Sequence, residues 1–168
     1  QIEKKEWLDA PISRNNTVTS NLRQLTISKA CSQECVLTLV TSWIGSPFIK
    51  SYDVVGARIA NSSLTSVRSA LVSGTNYGKS YSNSQTFNNG FGYSILLPNV
   101  SNLKITLTFT TTKGGTAYGS YQHANTNTSE LISKQYTIGA GEYGNVFHFN
   151  GNARTVYDNA PGVDISLN

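Results

Sequence analysis

Between Leu22 and Leu167 apolar and polar residues alternate in short runs, and the period of two marks β-strands. Asn102–Thr112 shows it most plainly. Leu103, Ile105, Leu107 and Phe109 fall on one parity, and Lys104, Thr106, Thr108 and Thr110 on the other. That predicts a strand with one dry and one wet face. Leu25 and Ile27 alternate with Thr26 and Ser28 in the same way. In Cys35–Ile44, Leu37, Leu39 and Trp43 share one parity, while Val36, Val40 and Ile44 share the other. This run reads as a strand buried on both sides or central in a sandwich. Gly45-Ser46-Pro47 is turn chemistry, and Phe48–Ala60 resumes the strand pattern, so the two runs are expected to form a long hairpin.

Further strands are predicted at Ser62–Ser73, Tyr93–Leu97, Leu131–Ile138, Tyr143–Phe149, Arg154–Tyr157 and Val163–Leu167. Thr116–Ala124 is expected to pair with Asn102–Thr112 across the tight turn Lys113-Gly114-Gly115. The stretch Gly74–Gly92 has no aliphatic residue but holds Tyr77, Tyr81, Phe87 and Phe91 among Gly, Ser and Asn. It is expected to be a mobile loop at the rim of a site, with Phe87 and Phe91 turned to the core and Tyr77 and Tyr81 free for a ligand. Residues 1–20 are poor in apolar side chains. They show helical character around Trp7 and Leu8 that Pro11 stops, and are expected to be an arm or linker remnant ahead of a single domain over 21–168.

Nine to eleven short strands separated by turns predict an all-β fold, an antiparallel β-sandwich. A jelly roll is the first expectation. An immunoglobulin-like sandwich is the second, although the Cys…Trp…Cys spacing of that family is absent, and a barrel is the third.

Composition narrows the function classes. The 168 residues suit one domain. Only 13% are charged, against about 25% in an average globular protein. Ser, Thr and Asn together supply 56 residues, a composition that resembles secreted and cell-surface domains. The chain begins at Gln1 without a charged and then apolar leader, and the expectation is a chain from which a signal peptide has been removed. No apolar run approaches the roughly 18 residues of a membrane-spanning helix, and no cofactor signature occurs. The net charge is +4, carried wholly by residues 1–84. Its basic residues are scattered, which argues against nucleic acid as a partner and leaves a mildly basic surface suited to an anionic cell wall or lipid headgroup.

A few residues carry candidate chemistry. Cys31 and Cys35 are expected to form a local disulfide that fixes a turn. A zinc site would need two further ligands, and His123 and His148 lack the short spacing of structural zinc sites. Each histidine is read first as a surface residue hydrogen-bonded to a neighbour. His148 lies between Phe147 and Phe149, so with those rings inward it faces solvent or a cleft. Asp53 stands in the apolar run Ser-Tyr-Asp-Val-Val. It is read first as an acid on the wet strand face; buried, it would need a partner, for which Arg58 on the same strand is one candidate. No G-x-S-x-G elbow singles out a nucleophile among the many serines. A pocket joining Asp53 or Glu142 to a histidine would favour a small secreted hydrolase. Four N-x-[S/T] sequons, at Asn15, Asn61, Asn99 and Asn127, are what this Asn, Ser and Thr content produces by chance.

Nine Tyr and two Trp offer flat faces with polar edges, which suit partly wet recognition surfaces. Tyr77, Tyr81, Tyr118, Gln122 and His148 form the expected ligand-binding set. The function expected is non-enzymatic: a secreted or cell-surface protein that recognises a glycan or a cell-envelope polymer. A membrane-active, toxin-like β protein is the alternative.

Overall fold

A computed structural model describes residues 16–141 and 144–168. The stretch expected to be helical around Trp7 and Leu8 lies outside the described residues, as do Glu142 and Tyr143.

Two antiparallel sheets face each other. The first holds six strands in the order β1-β2-β3-β9-β5-β6, formed by β1 (Thr17–Ser20), β2 (Arg23–Cys31), β3 (Cys35–Trp43), β9 (Lys104–Thr111), β5 (Leu64–Gly74) and β6 (Tyr77–Tyr81). The second holds five in the order β13-β10-β4-β8-β7, formed by β13 (Val163–Ser166), β10 (Thr116–Gln122), β4 (Tyr52–Ala60), β8 (Gly90–Leu96) and β7 (Gln85–Phe87). A separate two-stranded sheet pairs β11 (Tyr136–Ile138) with β12 (Phe147–Phe149).

The strand order decides between the expected sandwiches. β2-β3-β9-β5 occupy the A-B-E-D places of an immunoglobulin sandwich, and β4, β10 and β13 occupy C, F and G. The order is therefore immunoglobulin-like rather than that of a jelly roll. β8 and β7 extend the second sheet beside β4, but they enter the chain after β5, the D strand.

The dry parities meet between the two sheets. Ile27, Leu39, Leu107 and Ala70 make one cross-strand row through four strands of the first sheet, and all four are buried. Leu103, Ile105 and Phe109 are buried beside Leu107, as the alternation of that run predicts. β3 buries Cys35, Leu37, Leu39, Thr41 and Trp43 on one parity only. Val36, on the other parity, is exposed, so β3 is central in its sheet without being dry on both faces.

Both hairpins expected, across Gly45-Ser46-Pro47 and across Lys113-Gly114-Gly115, are instead crossovers. β3 pairs with β2 and β9, while β4 pairs with β10 and β8. Likewise β9 and β10 lie in different sheets. Gly114 and Gly115 both have positive φ, the left-handed backbone that glycine adopts without strain. The Gly114 N–H donates to the Leu167 carbonyl, and the Leu167 N–H donates to the Gly115 carbonyl. The glycine pair thus carries the chain from one sheet to the other under the end of β13. A turn signature reports that the chain reverses, not which strand it meets next.

Gly74–Gly92 is not a loop. It closes the β5–β6 hairpin, forms edge strand β6 and then crosses to β7 and β8. Residues 17–20 of the expected arm are strand β1, paired with β2. In place of a strand over Leu131–Ile138 stand a helical turn, α1 (Glu130–Ser133), and the short β11. In place of one over Arg154–Tyr157 stands a 3-10 turn, Gly151–Thr155.

Cys31 and Cys35 sit opposite each other at the end of the β2–β3 hairpin, with Cα atoms 4.0 Å apart, and are disulfide-bonded. The native protein is expected to resist alkylation until it is reduced, as intact mass will show. Its thermal midpoint should then move by only a few degrees, because so short a loop removes little entropy from the unfolded chain.

Candidate functional site

The β11–β12 pair adds a third layer on the outer face of the second sheet. It can approach because the facing strands carry glycine there. Gly56 of β4 pairs with Gly92 of β8. A Cβ on Gly92 would collide with the Tyr136 hydroxyl, and one on Gly56 would come within 2.9 Å of the Phe147 ring. Tyr136, Phe147, Val54, Ala124, Val146, Ala153 and Tyr157 make a second, smaller core under this layer. Phe149 stacks on Tyr157 with ring centroids 4.6 Å apart.

His148 alternates with these rings and is exposed. It lines a groove of about 680 Å³ with Gly141, Asn145, Phe147, Phe149, Arg154, Thr155 and Asn159. Its Nε2 lies 3.0 Å from the Ala140 carbonyl. A carbonyl only accepts, so Nε2 carries the proton and donates, and the imidazole is held in one orientation. The opposite wall is the 3-10 turn. The Asn152 N–H donates to the Gln135 side chain at 3.0 Å and the Asn150 N–H to the Gln135 carbonyl at 3.0 Å, while buried Ala153 pins the turn from below. Arg154 follows Ala153 directly. Asn145 is buried, and its Oδ1 has no hydrogen-bond donor.

A second polar cluster lies inside the sandwich. Arg23, 2% exposed, donates from both terminal nitrogens to Asp158 at 2.9 and 3.0 Å and to the Tyr121 carbonyl at 3.1 Å. Its guanidinium also sits over the rings of Trp43 and Tyr121. Asp53, fully buried, accepts from the Tyr121 hydroxyl at 2.5 Å, the His123 Nδ1–H at 2.8 Å and the Ala124 N–H at 2.8 Å. Burial pushes the Asp53 carboxyl above its ordinary range, and His123, Tyr121 and the Ala124 amide pull against that shift. Asp53 is therefore not on a wet strand face, and the candidate partner Arg58 does not reach it. Arg58 lies on the opposite parity of β4 and stacks on Tyr118, 3.9 Å from that ring.

Asp53 and His123 form the carboxylate–imidazole pair that a hydrolase would use. Cys35 is bridged. The Trp43 ring packs edge-on against the imidazole at 4.9 Å, and among the described residues no Ser or Thr hydroxyl is hydrogen-bonded to it. A general base needs such a nucleophile within reach; the bonds of Asp53 to Tyr121, His123 and the Ala124 amide tie β4 to the end of β10. Among the described residues no three His, Cys, Asp or Glu side chains could hold a metal ion, and no helix is long and apolar enough to cross a membrane.

The expected ligand-binding residues do not converge. Tyr77 and Tyr81 are half-buried on β6 and pack against the main core. The Tyr81 hydroxyl accepts the Leu96 N–H at 3.2 Å. Tyr118 lies on the outer face of β10 under Arg58. Gln122 is 1% exposed, and its amide nitrogen donates to Asp158 and to the Ala160 carbonyl, so burial keeps it from a ligand. His148 alone of the five lines the groove. The groove's other polar residues, Asn145, Arg154, Thr155 and Asn159, had no signal beyond lying in the Asn- and Gly-rich segments that break up the last strands.

Asp164, on the outer parity of β13, is buried with both carboxyl oxygens unpartnered. Burial raises its pKa from 3.8 to about 7. The folded state therefore holds this proton more tightly than the unfolded chain does. Its stabilising contribution is present in full below about pH 4 and is lost as pH rises through about 7. Asp164→Asn is expected to match the parent near pH 4 and to exceed it by more than about 1 kcal/mol at pH 8, measured by denaturant unfolding.

No protein-family model matches the chain, and no curated protein is similar to it in sequence. Its fold is similar to that of several solved structures. The collagen-binding domain from a Staphylococcus aureus adhesin aligns over 88% of this chain and 97% of that one, at 11% identity and a TM-score of 0.48. The collagen-binding domain of the Erysipelothrix rhusiopathiae surface protein RspB aligns over 89% of this chain and 47% of that one, at 10% identity and 0.47. The collagen-binding subdomain of the Enterococcus faecalis surface protein ACE aligns over 62% and 86%, at 9% and 0.42. What those domains bind does not transfer to this chain at such identities.

Proposed function

We propose that this chain is a non-catalytic, extracellular binding domain whose ligand, a glycan or cell-envelope polymer, lies in the groove beside His148. The groove itself carries this reading. It is open and of a size that suits a ligand, and the 3-10 turn that carries Arg154 and Thr155 is tied to Gln135. Thr155 and Asn159 each present groups that both donate and accept, as sugar hydroxyls do. The low charge and the short disulfide fit an oxidising, extracellular setting.

Pull-down of the folded protein on isolated bacterial envelopes and on immobilised polysaccharides tests this. Binding is expected, and His148→Ala combined with Asn159→Ala should weaken it by about tenfold while leaving the thermal midpoint unchanged. Binding that survives both substitutions would place the ligand elsewhere.

A further inference from the structure

One end of the sandwich carries apolar tips. Arg23, at the start of β2, pairs with Trp43, at the end of β3. Two connections open there: the β1–β2 turn, Asn21-Leu22, and the β3–β4 connection, residues 44–51. The Ile44 N–H donates to the Leu22 carbonyl at 2.8 Å, so the two connections touch. Leu22 is 62% exposed, Ile44 66% and Phe48 95%. A lone exposed leucine is ordinary on a protein surface, whereas three large apolar side chains on touching connections mark an interaction site.

The backbone at Leu22 is a second, independent observation. Its φ is 65°, in the left-handed region that a residue with a Cβ enters only at a cost. In a two-residue hairpin turn this second position favours glycine. Leucine here is both strained and wet, and an outlier of this kind points to a role outside the fold.

The chemistry around the tips selects the partner. Lys50 Nζ donates to the Pro47 carbonyl at 2.8 Å, which sets an ammonium at the base of the Phe48 tip. Lys104, opposite Ser42, starts β9 at the same end. The two connections themselves contain no Asp or Glu. Apolar tips with cations behind them match an anionic lipid surface: the tips enter the acyl boundary and the lysines meet the headgroups. A protein partner takes a continuous, close-packed patch. A second copy needs about 800 Å² from each partner, more than three side chains on two connections supply. We propose that the chain rests this end on a bilayer bearing anionic lipid, with Leu22, Ile44 and Phe48 inserted and Lys50 and Lys104 at the headgroups. The inference is independent of the groove beside His148.

Co-sedimentation of the full 168-residue chain with phosphatidylglycerol-containing vesicles and with pure phosphatidylcholine vesicles tests it. Binding to the first, much weaker binding to the second and a loss with added salt are expected. Phe48→Trp keeps an aromatic tip, and its emission should shift to the blue when anionic vesicles are added. Leu22→Asn combined with Phe48→Ser should lose about tenfold or more in vesicle affinity. Its thermal midpoint should stay level or rise, since asparagine suits the left-handed position. A lowered midpoint would overturn the inference by placing the two side chains in the fold. Vesicle binding that survives the double substitution, or no binding to either vesicle, would overturn it as well. A concentration-dependent dimer abolished by the double substitution would put a second copy on the tips and overturn the lipid reading.

Discussion

Leu107→Ala is expected to cost about 2–5 kcal/mol, the range for truncating a buried leucine. Leu107 stands in the middle of the row Ile27–Leu39–Leu107–Ala70 and is fully buried. Leu39, its neighbour on β3, rests against Gly119 of the opposite sheet, so this row is where the two layers touch. Packed on both sides, the site has little room to collapse around a cavity. Thr108, one residue on, points outward, and Thr108→Ala should cost under about 1 kcal/mol. Urea unfolding of the two variants measures the difference. Equal losses would mean that the strand is out of register by one residue.

Arg23→Ala should be as severe, at about 3–5 kcal/mol, for a different reason. Removing the guanidinium strands the Asp158 carboxylate in a largely dry site without a countercharge, and it withdraws the cation from between Trp43 and Tyr121. Gln122 and the His123 N–H still donate to Asp158, but neither neutralises it. Adding Asp158→Asn to Arg23→Ala should recover part of the loss, since the remaining group is then neutral. If the double variant were less stable than Arg23→Ala by the full cost of a second lesion, the two residues would not be acting as a pair.

These two residues show what the amino-acid order reveals and what it hides. The inward side of β9 is legible because its alternation is strict and local: each residue's environment is set by its own parity. Arg23 is not legible. It looks like one more scattered surface cation, and its partner is 135 positions away. Asp53 falls between these cases. An acid within an apolar run announces that something must satisfy it, but the satisfying groups, Tyr121 and His123, come from β10 and the residue after it and leave no local mark. The two mistaken hairpins have the same origin. Turn chemistry at Gly45-Ser46-Pro47 and Gly114-Gly115 is local, whereas the choice of the next strand is settled by which sheet buries its dry face. The aromatic stretch over Gly74–Gly92 misleads because glycine and serine suit a loop, yet Tyr77 and Tyr81 alternate correctly for an edge strand over the core. For the groove, only the alternation of His148 with Phe147 and Phe149 could be read in advance. The 3-10 turn that brings Arg154 opposite depends on contacts with Gln135, made only in the folded chain.

Mapping amide shifts as envelope polysaccharide is added to the labelled protein tests the central claim most directly. The account predicts that perturbations cluster at Gly141, Asn145, His148, Thr155 and Asn159, while Tyr77–Tyr81 on the far sheet stay silent. Shifts confined to Tyr77–Tyr81, with the groove unmoved, would contradict it.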